Sequence, residues 1–206
     1  MHTVPGYDAI RADFARKCKN LNKMVAQVLR GSEVAKIDVR FHGRHINAVS
    51  FQKVMHLVES GQIMVIYLPL LKEGENITRQ DLDVTALYFD VANDLYKKST
   101  IIHEAVHIRS DMRGKKMIHM EDELLSWIVQ AAYLRAGGYQ ANNWPGAFDK
   151  RALPAAFAIF DTLHAGKRVT HAQEFELSSA LRALSGDYNR DADKLNLIDG
   201  VRPLRH

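Results

Sequence analysis

The sequence predicts a single α+β domain, mostly helical, with a small β-sheet in its first half. Three observations carry that expectation. Apolar residues recur at helical spacing over several long stretches, short runs before residue 91 alternate or are continuously apolar at strand length, and Gly or Pro punctuates the junctions. At 206 residues with 47% hydrophobic content, the chain is long enough to bury one proper core.

Composition removes several function classes. The 28 Lys and Arg against 24 Asp and Glu give a net charge of +4, and the basic residues are scattered, so no nucleic acid partner is expected. The single cysteine, Cys18, excludes an intramolecular disulfide and reads as a small core residue on the first helix. No basic region followed by an apolar core stands at the N-terminus, and no run reaches membrane-spanning length. The expectation is a cytoplasmic protein, or one exported by a route that reads no N-terminal signal, with no membrane partner.

From Tyr7 to Arg30 the apolar positions Ile10, Phe14, Cys18, Leu21, Val25 and Val28 predict an amphipathic helix stopped by Gly31. Ile37, Val39 and Phe41 alternate with Asp38 and Arg40, the period of a half-exposed strand, and His42 to His45 predict a turn. The His42 and His45 pair implies no third ligand and is not read as a metal site. Ala48, Phe51, Val54, Met55 and Val58 predict a second helix closed by Ser60 and Gly61. Residues 63–70 (IMVIYLPL) read as a central strand, and residues 82–90 (LDVTALYFD) as a further one.

Residues 99–112, STIIHEAVHIRSDM, carry the chemistry. Ser99 or Thr100 is expected to cap a helix that Gly114 stops. On that helix His103, Glu104 and His107 spell H-E-x-x-H. Residues four apart lie one above the other, so two imidazoles approach one metal ion from the same side. Glu104 is turned about a quarter of the way round, where its carboxylate faces an activated water without being a ligand. Two neutral nitrogen ligands and an adjacent base are what a catalytic Zn2+ needs. The bland alternative is a pair of solvated histidines on an amphipathic helix.

His119 to Gly138 predicts a second helix, apolar nearly all round and therefore buried, with Gly137 as its stop. Glu121, Asp122 and Glu123 stand in its first turn. Acids there offset the helix dipole, yet an ion held by two histidines still lacks a third protein ligand. Glu121, Asp122, Glu123, Asp111 and His119 all remain open for that role on the residues alone, with Asp111 better suited to orient an imidazole.

At this point residues 84–138, about a quarter of the chain, resemble the zincin metallopeptidases. The resemblance is to compact zincin-like domains of bacterial effector and toxin proteins, and to the gluzincin group in particular. It picks Glu123 as the third ligand, because Ser126 follows at the small position of a Glu-x-x-small pattern. The third histidine of metzincins is absent, since Arg113 and Ser110 stand in its motif. Arg109 departs from the usual hydrophobic residue and implies a helix less deeply buried at its C-terminal end. By resemblance, Glu104 is the general base, residues 84–90 are the strand that pairs with extended substrate, and the partner is a protein or peptide substrate. Two other classes stay open: a zinc-dependent amidase acting on a non-protein, cell-wall amide, and a catalytically silent binding module of the same fold.

Beyond a loop at 139–146, Phe148 to Leu163 predict a helix either kinked at Pro154 or beginning there. Thr170 to Gln173 fit a capping box for a last helix ending at Leu184. The C-terminal part offers Tyr188, His164 or His171 as the donor that stabilises an oxyanion, Tyr188 first. The run DYNRDAD resembles a calcium loop but lacks the turn glycine and the closing glutamate, so it reads as a turn and solvated tail.

Overall fold

The computed structural model describes residues 21–66, 84–86, 95–113, 117–139, 149–184 and 195–196. Cys18, the calcium-like run and Tyr188 lie outside them, as do most of the two apolar runs at 63–70 and 82–90. The described chain is mostly helical with small paired strands, an α+β arrangement. Residues 21–29 form α1, which ends before Gly31 as the sequence predicts. A 3-10 turn at Val34–Lys36 leads into β1 (Asp38–Phe41).

β1 shows the predicted alternation, with Val39 and Phe41 buried and Asp38 and Arg40 exposed. The turn after it is tighter than expected. Arg44 and His45 open a second strand, β2 (Arg44–Asn47), so only His42 and Gly43 make the turn. Their φ values of 46° and 71° are both positive, the requirement of a two-residue hairpin whose twist matches its strands. Glycine meets that requirement freely. His42 is held there by stacking on Phe41 and by Glu174 Oε1, 3.0 Å from its Nε2, while His45 faces Asp38 at 2.7 Å. The two histidines therefore serve separate acids.

α2 (Ala48–Glu59) starts with a reciprocal cap between Asn47 and Ser50 and buries Phe51, Val54, Met55 and Val58. Then β3 (Met64–Ile66) pairs in parallel with β4 (Val84–Ala86), whose other edge has no partner among the described residues. α3 (Leu95–Asp111) and α4 (His119–Ala136) follow, separated by β5 (Met117–Ile118). α5 (Asp149–His164) runs through Pro154, so it begins before that proline. α6 (His171–Leu184) has the predicted capping box, Gln173 N–H donating to Thr170 Oγ1 and Thr170 N–H to Gln173 Oε1. β6 (Leu195–Asn196) pairs with β5. The sequence reading named no strand there; two paired residues are too few to show a period in sequence.

α4 is the centre. Every residue from Asp122 to Leu134 is buried, and α3, α5, α6, β1 and β5 all contact this helix. A helix that is apolar nearly all round can only be stable when enclosed this way. Among the described residues no helix is long and apolar enough to cross a membrane.

A Cβ built on Gly43 meets nothing within 4 Å, so replacing this residue tests the backbone alone. Gly43→Ala should lower the unfolding free energy by about 1–2 kcal/mol, the cost of left-handed backbone for an L-residue, as read from urea denaturation.

Candidate metal centre

α3 and α4 pack antiparallel, which lays the H-E-x-x-H turn against the first turns of α4. A Cβ on Gly137 would lie 2.6 Å from Leu95 Cδ2, so the end of α4 and the start of α3 touch closely. One turn on, Gln130 reaches Ser99, and at the other end Asp122 reaches His107. Ser99 and Thr100 do not cap α3. They sit inside it and donate their hydroxyls back to the Tyr96 and Lys97 carbonyls, both at 2.6 Å.

The histidine spacing brings His103 Nε2 and His107 Nε2 to 3.1 Å. Glu123 completes a triangle: Oε2 stands 3.5 Å from His103 Nε2 and Oε1 3.4 Å from His107 Nε2. In a tetrahedral site with bonds of about 2.0–2.1 Å, ligand atoms lie about 3.3–3.4 Å apart. Glu123 meets the two imidazoles through a different oxygen each, and one ligand atom from each of the three residues lies within 4.8 Å of the others, close enough to share one ion. Among the described residues, His103, His107 and Glu123 form a group that can hold a metal ion. His103 and Glu123 are buried, and Trp127 meets the His103 ring edge to face at 5.5 Å between centroids.

The remaining acids and His119 separate by role. Asp122 Oδ2 lies 2.6 Å from His107 Nδ1, so it orients that imidazole, the task assigned to Asp111 on sequence grounds. Asp111 instead sits half-buried at the end of α3, and Glu121 is half-buried in the first turn of α4. His119 Nε2 stands 3.9 Å from Glu123 Oε1, beside the group and not in it. His103 Nδ1 faces Gln130 Oε1 at 3.1 Å. Sequence reasoning missed Gln130. The signal was a polar stripe on an otherwise apolar helix, Glu123, Ser126 and Gln130, at steps of three and four.

Glu104 follows His103 on α3 and is partly buried, with Oε2 enclosed and without a hydrogen-bond partner among the described residues. Burial lifts its carboxyl above the usual range, against the pull of His107 and His103, while Glu123 and Asp122 push it further up. Glu123 goes the other way. Burial alone would raise it, but the His107 charge, the hydrogen bond and charge of His103, and then His119 hold it down at about 2. For His107, burial would lower the imidazole; the Asp122 and Glu123 charges, the Asp122 hydrogen bond and Glu104 outweigh that and push it up to about 10. In the metal-free protein this centre is one tightly coupled set of buried charges.

Of the residues named for the oxyanion, Tyr188 lies outside the described residues. His164 and His171 are exposed at the α5–α6 turn, and His164 stacks on Phe160. Asp161, in the turn before His164, is tied to Arg135 at 2.8 Å. Arg135 lies about 18 Å along α4 from Glu123 at 1.5 Å per residue, so this turn sits at the far end of the helix. Residues 101–106 of α3 are buried except Glu104, whereas His107, Ile108, Arg109 and Asp111 toward its C-terminal end are half-buried and Ser110 is buried. Compared with known proteins, the chain matches no family model, no curated protein and no solved structure.

The shifts fix how the metal-free protein responds to pH. His107, raised from 6.5 to about 10, contributes stability that is complete below 6.5 and lost as pH rises through about 10. Glu123, lowered from 4.5 to about 2, contributes stability present above 4.5 and lost as pH falls through about 2. Asp122→Asn should flatten the alkaline limb of a thermal-denaturation series on chelator-treated protein. Unchanged loss of stability between neutral and alkaline pH would show that the pair carries no such linkage.

Proposed function

We propose that this protein is a zinc-dependent metallopeptidase of the zincin type, with Zn2+ held by His103, His107 and Glu123. The observation that carries the reading is the convergence of both imidazole Nε2 atoms and the buried Glu123 carboxylate, at contacts of 3.1, 3.4 and 3.5 Å, beside an enclosed Glu104 oxygen without a hydrogen-bond partner among the described residues. Two imidazoles and a carboxylate are the donor set of a catalytic zinc, in which three protein ligands leave one position open. When bound, Zn2+ supplies Lewis acidity, polarising the scissile carbonyl and bringing the pKa of water down to about 7.

The chain's own groups do the rest. Glu104 accepts a proton from the attacking water as the new carbon–oxygen bond forms, then delivers it to the amine nitrogen as the carbon–nitrogen bond breaks. A carboxyl lifted above its ordinary value suits both transfers, because it holds the proton long enough to return it. Asp122 and Gln130 accept from the outer ring nitrogens of His107 and His103 and hold both rings facing the ion. Tyr188 is our nominee for the oxyanion donor. The proposed partner is a protein or peptide held extended along residues 84–90, where β4 leaves an edge unpaired among the described residues. Compact zincin-like effector and toxin domains supply the analogy for such a substrate.

Glu104→Ala should retain zinc, measured as bound metal per chain, while hydrolysis of an internally quenched peptide library falls by about 10²- to 10⁴-fold. Undiminished cleavage by this variant would refute the role of Glu104. Glu123→Ala should lose most of its metal, and full occupancy there would move the third ligand to another residue. Hydrolysis of a cell-wall amide with the peptides left intact would reassign the substrate class.

A further inference from the structure

His103 is held by a line of hydrogen bonds whose direction is set at its far end. The Tyr96 carbonyl oxygen can only accept, so Ser99 donates its hydroxyl proton there at 2.6 Å. With that proton committed, Ser99 Oγ accepts from Gln130 Nε2 at 3.0 Å. The carboxamide is thereby turned so that Oε1 faces His103 Nδ1 at 3.1 Å. A carboxamide oxygen accepts only, hence Nδ1 carries a ring proton and Nε2 is the nitrogen left to give its lone pair to a metal ion. That Nε2 is the atom 3.1 Å from His107 Nε2 and 3.5 Å from Glu123 Oε2.

We propose that Ser99 and Gln130 are positioning residues that fix the tautomer of His103, so that a serine hydroxyl one turn away from the ligand governs metal affinity. The inference rests on the metal reading above. Its logic lies in a difference between the two ligand histidines. His107 is held by Asp122, whose carboxylate accepts through either oxygen and has no wrong orientation. Gln130 has one. Rotated end for end, it would offer N–H to Nδ1, move the ring proton to Nε2 and remove the lone pair from the centre. Ser99 and Gln130 are both buried, so no solvent hydroxyl stands in for the lock.

The test uses the full chain with three variants, Ser99→Ala, Ser99→Thr and Ser99→Ala combined with Gln130→Glu. Two readouts are needed: zinc affinity by competition with a chromophoric chelator, and the His103 ring nitrogen shifts of the metal-free protein by ¹⁵N NMR. Ser99→Ala should weaken zinc binding about 10-fold, within the range for partners of ligand histidines, and Ser99→Thr should bind as the wild type does. The double variant should recover affinity, because a glutamate cannot be turned the wrong way. A purely packing role for Ser99 predicts no such recovery. Wild-type affinity in Ser99→Ala, failure of the double variant to recover it, or a wild-type His103 without a proton on Nδ1 would each overturn the proposal. A wild type that takes up no zinc while its His103 is protonated at Nδ1, with that state scrambled in Ser99→Ala, would keep the lock and remove the metal reading.

Discussion

The whole molecule depends on the antiparallel register of α3 against α4. Both helices bury polar groups inside an apolar core, and a buried donor or acceptor left alone costs about 1–3 kcal/mol. Register is what brings the paired ones together. Ser99 meets Gln130, His103 meets Gln130, and His107 meets Asp122, in order along the two helices. Sliding one helix by a turn, about 5.4 Å, would strand every one of these groups at once. Leu95 lies against Gly137 at the far end, where a larger residue would force the Leu95 side chain to move. The polar line across the interface therefore specifies the alignment that apolar packing alone would leave loose.

Charge makes the same interface able to hold a cation. Asp122, Glu123 and Glu104 bring three carboxyls to two imidazoles in a buried setting. Such a group is stable only when positive charge is supplied, by a proton or by a metal ion. In the metal-free state the proton sits on His107, held there by Asp122 and Glu123. A divalent ion would displace that proton and meet the depressed carboxylate of Glu123 already ionised. The opposite shifts of Glu104 and Glu123 follow from position. Glu123 contacts both imidazoles, whose pull outweighs burial, while at Glu104 burial outweighs the pull of the same two histidines.

Much of this was legible in the sequence because it rests on periodicity and short-range spacing. His103 and His107 are four apart on one helix, and the alternation at 37–41 and the cap at Thr170 are local patterns that folding left unchanged. What failed were relations between elements. Nothing within α3 distinguishes Asp111 from Asp122 as partner for His107, because the choice is made by where α4 lies. Ser99 reads as a cap when helix starts are sought in local sequence, yet its hydroxyl is spent inside the helix. β2 was taken for a turn because positive φ at His42 halves the loop a histidine-rich stretch suggests. β6 was hidden by its brevity.

The unequal support of the two imidazoles has a physical reason. A second orienting carboxylate in place of Gln130 would add a fourth buried acid beside Glu104, Asp122 and Glu123, each already desolvated. The cost of burying another charge would rise faster than the gain in imidazole basicity. A neutral amide avoids that cost, but it introduces an end that can face the wrong way. The serine one turn before His103 removes that freedom by spending its proton on a backbone carbonyl. The centre thus combines one acid that needs no orientation with one amide that is oriented for it, and keeps its negative charge close to what a single divalent ion can balance.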